Sequence, residues 1–197
     1  GSNSQGKWTL MGRNVEFALP EIFAVDVLKF NELAGRGAWE NVFATDLPVG
    51  FSIDKILARN ADLQVELAGS YEFRREEPDV INLKGNLPMA NVAQVANYLP
   101  LIVGSSARTW LTENLKAGVA SNGEFEMSGR LSDFPFDDPK SKGVFRIEVP
   151  FENGELTYAP GWPGIRQVNG KATFSGKRML IQADTAESLG VQLTNVQ

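Results

Sequence analysis

The chain of 197 residues contains no cysteine and no histidine. Without them there is no Cys–His or Ser–His–Asp route to nucleophilic catalysis. The usual zinc ligands are missing too, and no disulfide framework can form. Positive charge is also scarce, with 19 Lys and Arg against 24 Asp and Glu. The basic residues form no cluster beyond pairs such as Arg74-Arg75, so nucleic acid is not an expected partner. No run approaches 18 consecutive apolar residues, which excludes a bilayer-spanning helix within this stretch. Residues 1–4, opening Gly1-Ser2-Asn3, read as the remnant of an expression tag and are set aside from fold reasoning.

What is present is alternation of period two. Leu63, Val65 and Leu67 alternate with Gln64, Glu66 and Ala68; Phe125 and Met127 with Glu124, Glu126 and Ser128. Phe145, Ile147, Val149 and Phe151 alternate with Arg146, Glu148, Pro150 and Glu152, and Ala172 and Phe174 with Lys171, Thr173 and Ser175. Successive side chains of a strand point to opposite faces, so this pattern predicts half-buried antiparallel strands. The expected strands are 14–19, 22–30, 38–45, 50–57, 60–75, 79–86, 123–131, 143–151, 154–159, 166–175, 178–184 and 189–196. Gly69-Ser70, Ser121-Asn122-Gly123, Glu152-Asn153-Gly154, Asn169-Gly170 and Ser175-Gly176-Lys177 are turn signals that punctuate the strands. Asn-Gly in particular favours the positive φ that tight hairpins require.

Residues 89–117 break the alternation. Met89, Val92, Val95, Ala96 and Leu99 fall at helical spacing, and Pro100 ends that short helix. A second helix is expected from Ser105 or Ser106 as cap, with Ala107, Trp110, Leu111 and Leu115 as its apolar stripe and Gly118 at its C-terminus. The predicted fold is therefore mainly β: one long antiparallel sheet over residues 5–197, with a helical pair inserted at 89–117.

The second half of the chain also carries an ordered series of motifs. Tyr98-Leu99-Pro100 is followed by Thr109-Trp110-Leu111 and Lys116-Ala117-Gly118. Then come Ser128-Gly129-Arg130-Leu131, Asp133-Phe134-Pro135-Phe136, Asn153-Gly154, Tyr158-Ala159-Pro160 and Gly161-Trp162-Pro163. This order resembles the central to C-terminal region of the AsmA-like, YhdP-type family. The resemblance implies a segment of a periplasm-spanning protein of Gram-negative bacteria, anchored in the inner membrane, whose strands form a long, curved and twisted sheet with an apolar groove. It implies support of phospholipid transport between inner and outer membrane, with membrane components contacted through other parts of the full-length protein. No cofactor and no enzymatic activity are expected.

For such a conduit the expected lining residues are Leu63, Val65, Leu67, Phe125, Met127, Phe145, Ile147 and Val149. Trp110, Leu111 and Leu115 are the expected face of a gate helix. The competing reading is an envelope scaffold with a filled core and no lipid path, in which the same alternation only builds a β core and the helical pair only packs on it. A carboxylate hydrolase would need two facing acids; Asp133, Asp137 and Asp138, and Glu76-Glu77 with Asp79, read instead as solvated loop and turn. Phe134 and Phe136 are expected to plug a sheet corner.

Overall fold

The computed structural model describes residues 4–43, 47–159 and 161–196. Ten antiparallel strands form one sheet in sequence order. They are β1 (Gln5–Phe17), β2 (Leu28–Glu40), β3 (Val49–Arg59), β4 (Leu63–Phe73), β5 (Val80–Asn91), β6 (Leu115–Arg130), β7 (Val144–Leu156), β8 (Ile165–Ser175), β9 (Arg178–Ser188) and β10 (Val191–Val196). β1 and β10 are the two edges, so the sheet is open. Every connection joins neighbouring antiparallel strands, the simplest topology for a meander.

The helical pair lies between β5 and β6, as a 3-10 segment, Val92–Tyr98, and helix α1, Ser105–Asn114. It is shorter than the periodicity suggests. Met89 belongs to β5 and pairs with Gln64, while Leu115 opens β6 and pairs with Leu156. Neither serine caps α1; the cap is Gly104, with no side-chain hydrogen bond, and Asn91 caps the 3-10 segment by accepting from the Ala93 N–H. Gly118 is not a helix terminus. It lies inside β6 at φ 130°, where an added Cβ would stand 3.1 Å from the Gly154 Cα.

The Asn-Gly cues mark bulges rather than hairpins. Asn122 and Asn153 do adopt positive φ, 53° and 54°, but inside β6 and β7. The pairing register shifts beside them, between Ala120 and Glu124 and between Phe151 and Gly154. An extra residue on one strand forces that conformation and adds local twist. Gly69-Ser70 and Asn169-Gly170 also lie within strands, as the expected 60–75 and 166–175 have them, and because Asn153-Gly154 is a bulge the expected 143–151 and 154–159 are one strand, ending at Leu156. Ser175-Gly176-Lys177 is a true hairpin, with Ser175 opposite Arg178. The turn before β10 is Leu189-Gly190, both at positive φ, which moves the start expected at 189 to Val191.

The first strands also differ from expectation. β1 runs from Gln5 to Phe17, and 22–27 is a loop in which Ile22 and Phe23 donate to the Leu19 carbonyl, 2.9 Å each. That loop docks on the helical segment through a Phe23–Pro100 bridge and a Leu101 N–H to Ile22 carbonyl bond of 2.7 Å. The expected 38–45 strand ends at Glu40, within β2, and its residues 44 and 45 lie outside the described residues, as do Gly1 to Asn3 and Pro160.

Two buried clusters hold the sheet. One gathers Ala90, Ala120, Phe151, Leu156, Val168, Ala183 and Ala186, with Val92 and Val95 of the 3-10 segment packed against it. The other gathers Leu28, Phe30, Leu33 and Ala58, covered by Phe23, Val25 and Tyr98. The Tyr98 ring lies 6.3 Å from Phe30, and its hydroxyl accepts from Asn60 Nδ2 at 2.9 Å. The helical segment thus crosses one end of a single sheet face.

Candidate functional site

Residues directly opposite in an antiparallel pair share a face. Following the register across the sheet gives one unbroken row: Leu10, Gly35, Ile56, Leu67, Gly85, Phe125, Ile147, Phe174 and Met179. It spans nine strands and contains no polar side chain. A parallel row runs Trp8, Gly37, Ile53, Gly69, Leu83, Met127 and Phe145. Neighbouring side chains lie over two of the glycines: an added Cβ would meet Leu67 Cδ2 at 2.5 Å on Gly85, and Trp8 Cζ3 at 3.0 Å on Gly35.

The eight candidate lining residues fall together on this face. Leu67, Phe125 and Ile147 share the first row, Met127 and Phe145 the second. Val65 pairs with Ala58 and Val149 with Ala172 on the helical side of those rows. Leu63 opens a third row, Leu63, Ala90, Ala120, Phe151, Gly170 and Ala183, which is the one the 3-10 segment covers. Met127 is buried; the other seven are half-buried. The expected gate residues separate. Leu111 is buried and Trp110 half-buried in α1, whereas Leu115 is a strand residue and cannot move with the helix.

The far end of the face is closed by the segment between β6 and β7. Phe134 stacks edgewise on Phe145 at 5.1 Å and on Phe136 at 5.8 Å, and Phe136 lies against Gly129 and Gly143. Asp137 accepts from the Lys177 N–H at 3.1 Å and Asp138 from the Lys140 N–H at 2.8 Å, so these acids hold loop backbone. Among the described residues no group of three acidic, His or Cys side chains is placed to hold a metal. Asp79 holds its turn in the same way, accepting from the Arg74 N–H at 3.0 Å and from the Tyr71 hydroxyl. Burial and that adjacent carboxylate push the Tyr71 phenol up to about 12.

The opposite face is charged and self-paired. Lys55 meets Glu66 at 2.8 Å, Lys84 meets Glu126 at 3.1 Å, and Glu148 is shared by Arg146 and by Lys171 at 3.8 Å. The Arg146 hydrogen bond holds the Glu148 carboxyl below its ordinary range.

Ile56, Ile53, Leu83 and Phe174 belong to the apolar rows and were not among the expected lining residues. Their strands alternate as well, but glycines and bulges interrupt the count, so only the cross-strand register aligns them.

An open ten-stranded meander with one apolar face and one ion-paired face defines a one-sided sheet segment, the class expected of an AsmA-like protein. The family model described as YhdP protein matches residues 1–197, and the chain belongs to that family. No curated protein and no solved structure matches it.

Proposed function

We propose that this chain is a non-enzymatic segment of a periplasm-spanning envelope protein and that its apolar face shields phospholipid tails moving between inner and outer membrane. Membership of the YhdP family supports the coarser part of this reading, an envelope protein connected with lipid transport. The observation that carries the finer part is the row from Leu10 to Met179, apolar across nine strands and running perpendicular to them.

The physical need is large. Exposing acyl chain to water costs about 0.8 kcal/mol per CH₂, so two tails of roughly 16 carbons face a penalty of order 20 kcal/mol. A sheet lowers it because alternate side chains supply a continuous apolar strip while the other face stays wet. A row that crosses strands continues wherever another strand is added at an edge, which a closed sandwich core does not allow.

Native mass spectrometry of the chain purified from a Gram-negative host tests the proposal. Bound phospholipid at defined stoichiometry is the expected result; a lipid-free chain that also takes up none from vesicles would overturn it. The scaffold reading draws on the two buried clusters and on the unpaired edges of β1 and β10, which suit strand addition by a protein partner. It predicts a stoichiometric protein complex and no lipid.

A further inference from the structure

A cavity of about 360 Å³ lies between the loop before β2 and the helical segment. Ala24, Val25 and Ala96 line its apolar side. Against them α1 turns Ser105, Arg108 and Thr109, one face of the helix at spacings of three and four. A helix normally presents apolar residues to a neighbouring segment; here it presents a guanidinium and hydroxyls. The Arg108 Nη1 is buried and has no hydrogen-bond partner among the described residues. Glu113 also lines the cavity but forms no ion pair with Arg108. Thr112 donates its hydroxyl to the Arg108 carbonyl at 2.9 Å, leaving the Ser105 and Thr109 hydroxyls free of protein partners among the described residues. The first N–H groups of α1 beside Ser105 lack a side-chain cap and add positive potential at the same end.

We propose that this cavity binds a phosphate group, with the Arg108 guanidinium as its principal donor and Ser105 and Thr109 completing the coordination. Arg108 is half-buried, but its Nη1 is shut off from water with no partner, which is costly unless an acceptor meets it, and the planar fork of the guanidinium suits phosphate oxygens. The volume exceeds what a bare anion needs and falls within the range of small-molecule sites, about 300–1,000 Å³. Val25 ties the cavity to the apolar face, since it also packs on the cluster of Leu28, Phe30 and Leu33. The phosphate of a phospholipid whose tails lie on that face and free phosphate share this chemistry. The lipid source rests on the proposed conduit; the phosphate site does not.

Calorimetric titration of the chain with inorganic phosphate, with dihexanoyl phosphatidylglycerol below its micelle concentration, and with dihexanoyl glycerol separates these. Arg108→Gln is expected to weaken the phosphate-bearing probe about tenfold or more, the loss of a charge-assisted bond pair, with glycerolipid uptake unchanged. Arg108→Lys should recover part of the affinity, and the unfolding temperature of Arg108→Gln should not fall, because the group removed makes no side-chain hydrogen bond or ion pair among the described residues. Should Arg108→Gln not fold, Thr109→Val reads the same site with a smaller loss. Tighter binding of phosphatidylglycerol than of phosphate assigns the lipid source; equal binding, both lost in Arg108→Gln, assigns free phosphate. Uptake of both lipids that is indifferent to Arg108 overturns the phosphate site and leaves the conduit standing. Arg108-dependent phosphate binding with no lipid uptake keeps the site and removes the conduit.

Discussion

The apolar face has two zones built from the same alternation. Under the helical segment, Ala90, Ala120, Phe151 and Val168 are buried, at 5%, 4%, 7% and 2% exposure. Two rows away, Leu67, Phe125, Ile147 and Phe174 point the same way and remain half-buried. The strands are identical in kind, so the difference comes from what lies on top. Small residues in the covered row, Ala90 and Ala120, leave room for Val92 and Val95 of the 3-10 segment to pack on it, and Phe151 folds over Gly154, where an added Cβ would stand 2.8 Å from its ring. The central rows instead carry branched and aromatic side chains, Leu67, Phe125, Ile147 and Phe174, that stay half-buried. One zone closes a core; the other offers a surface.

Substitutions sharpen that contrast. The largest effect is expected in the covered zone. Phe151→Ala should destabilise by about 3–5 kcal/mol through lost burial and a residual cavity, read as a lowered urea midpoint with unchanged slope. An Ile147→Glu change on the same strand and face should cost only about 1–2 kcal/mol while abolishing lipid capture. Equal destabilisation by the two would erase the distinction between zones.

Tyr71, at the far end of the face, gives a pH-dependent reading. Its phenol is raised from 10 to about 12 in the folded state, so the folded chain holds that proton more tightly than the unfolded one. The stabilisation is complete below pH 10 and is lost as pH rises toward 12. Urea midpoints of the protein and Tyr71→Phe should therefore converge over that interval and keep a constant offset below it. The smallest effect belongs to the charged face, where Lys84→Ala should change stability by no more than about 0.5 kcal/mol, because exposed ion pairs are screened.

Much of this was legible in the sequence. The alternation of Phe145, Ile147 and Val149 placed those residues on one face, and Val92 and Val95 marked the helical insertion. What escaped was set by register. Asn122 and Asn153 adopt the positive φ that an Asn-Gly turn begins with, but Gly123 and Gly154 do not follow, strand pairing continues past them, and tertiary context makes them bulges. Gly35 and Gly85 hide the longest apolar row, because a glycine carries no side chain to count; the strands on either side supply the surface. Leu115 fits a helical stripe by spacing, yet pairing with Leu156 draws it into β6. The Arg108 cavity is invisible to periodicity, since it forms between segments more than 70 residues apart.

Arg146 and Ile147 are adjacent in β7 and point to opposite faces, one into the ion-paired ladder and one into the apolar row. Photo-crosslinking side chains placed at each position, activated in living cells, test the central claim most directly. The account predicts phospholipid adducts at position 147 and at Phe125 opposite it, with none at 146. Adducts at neither position, or equally at both faces, would contradict it.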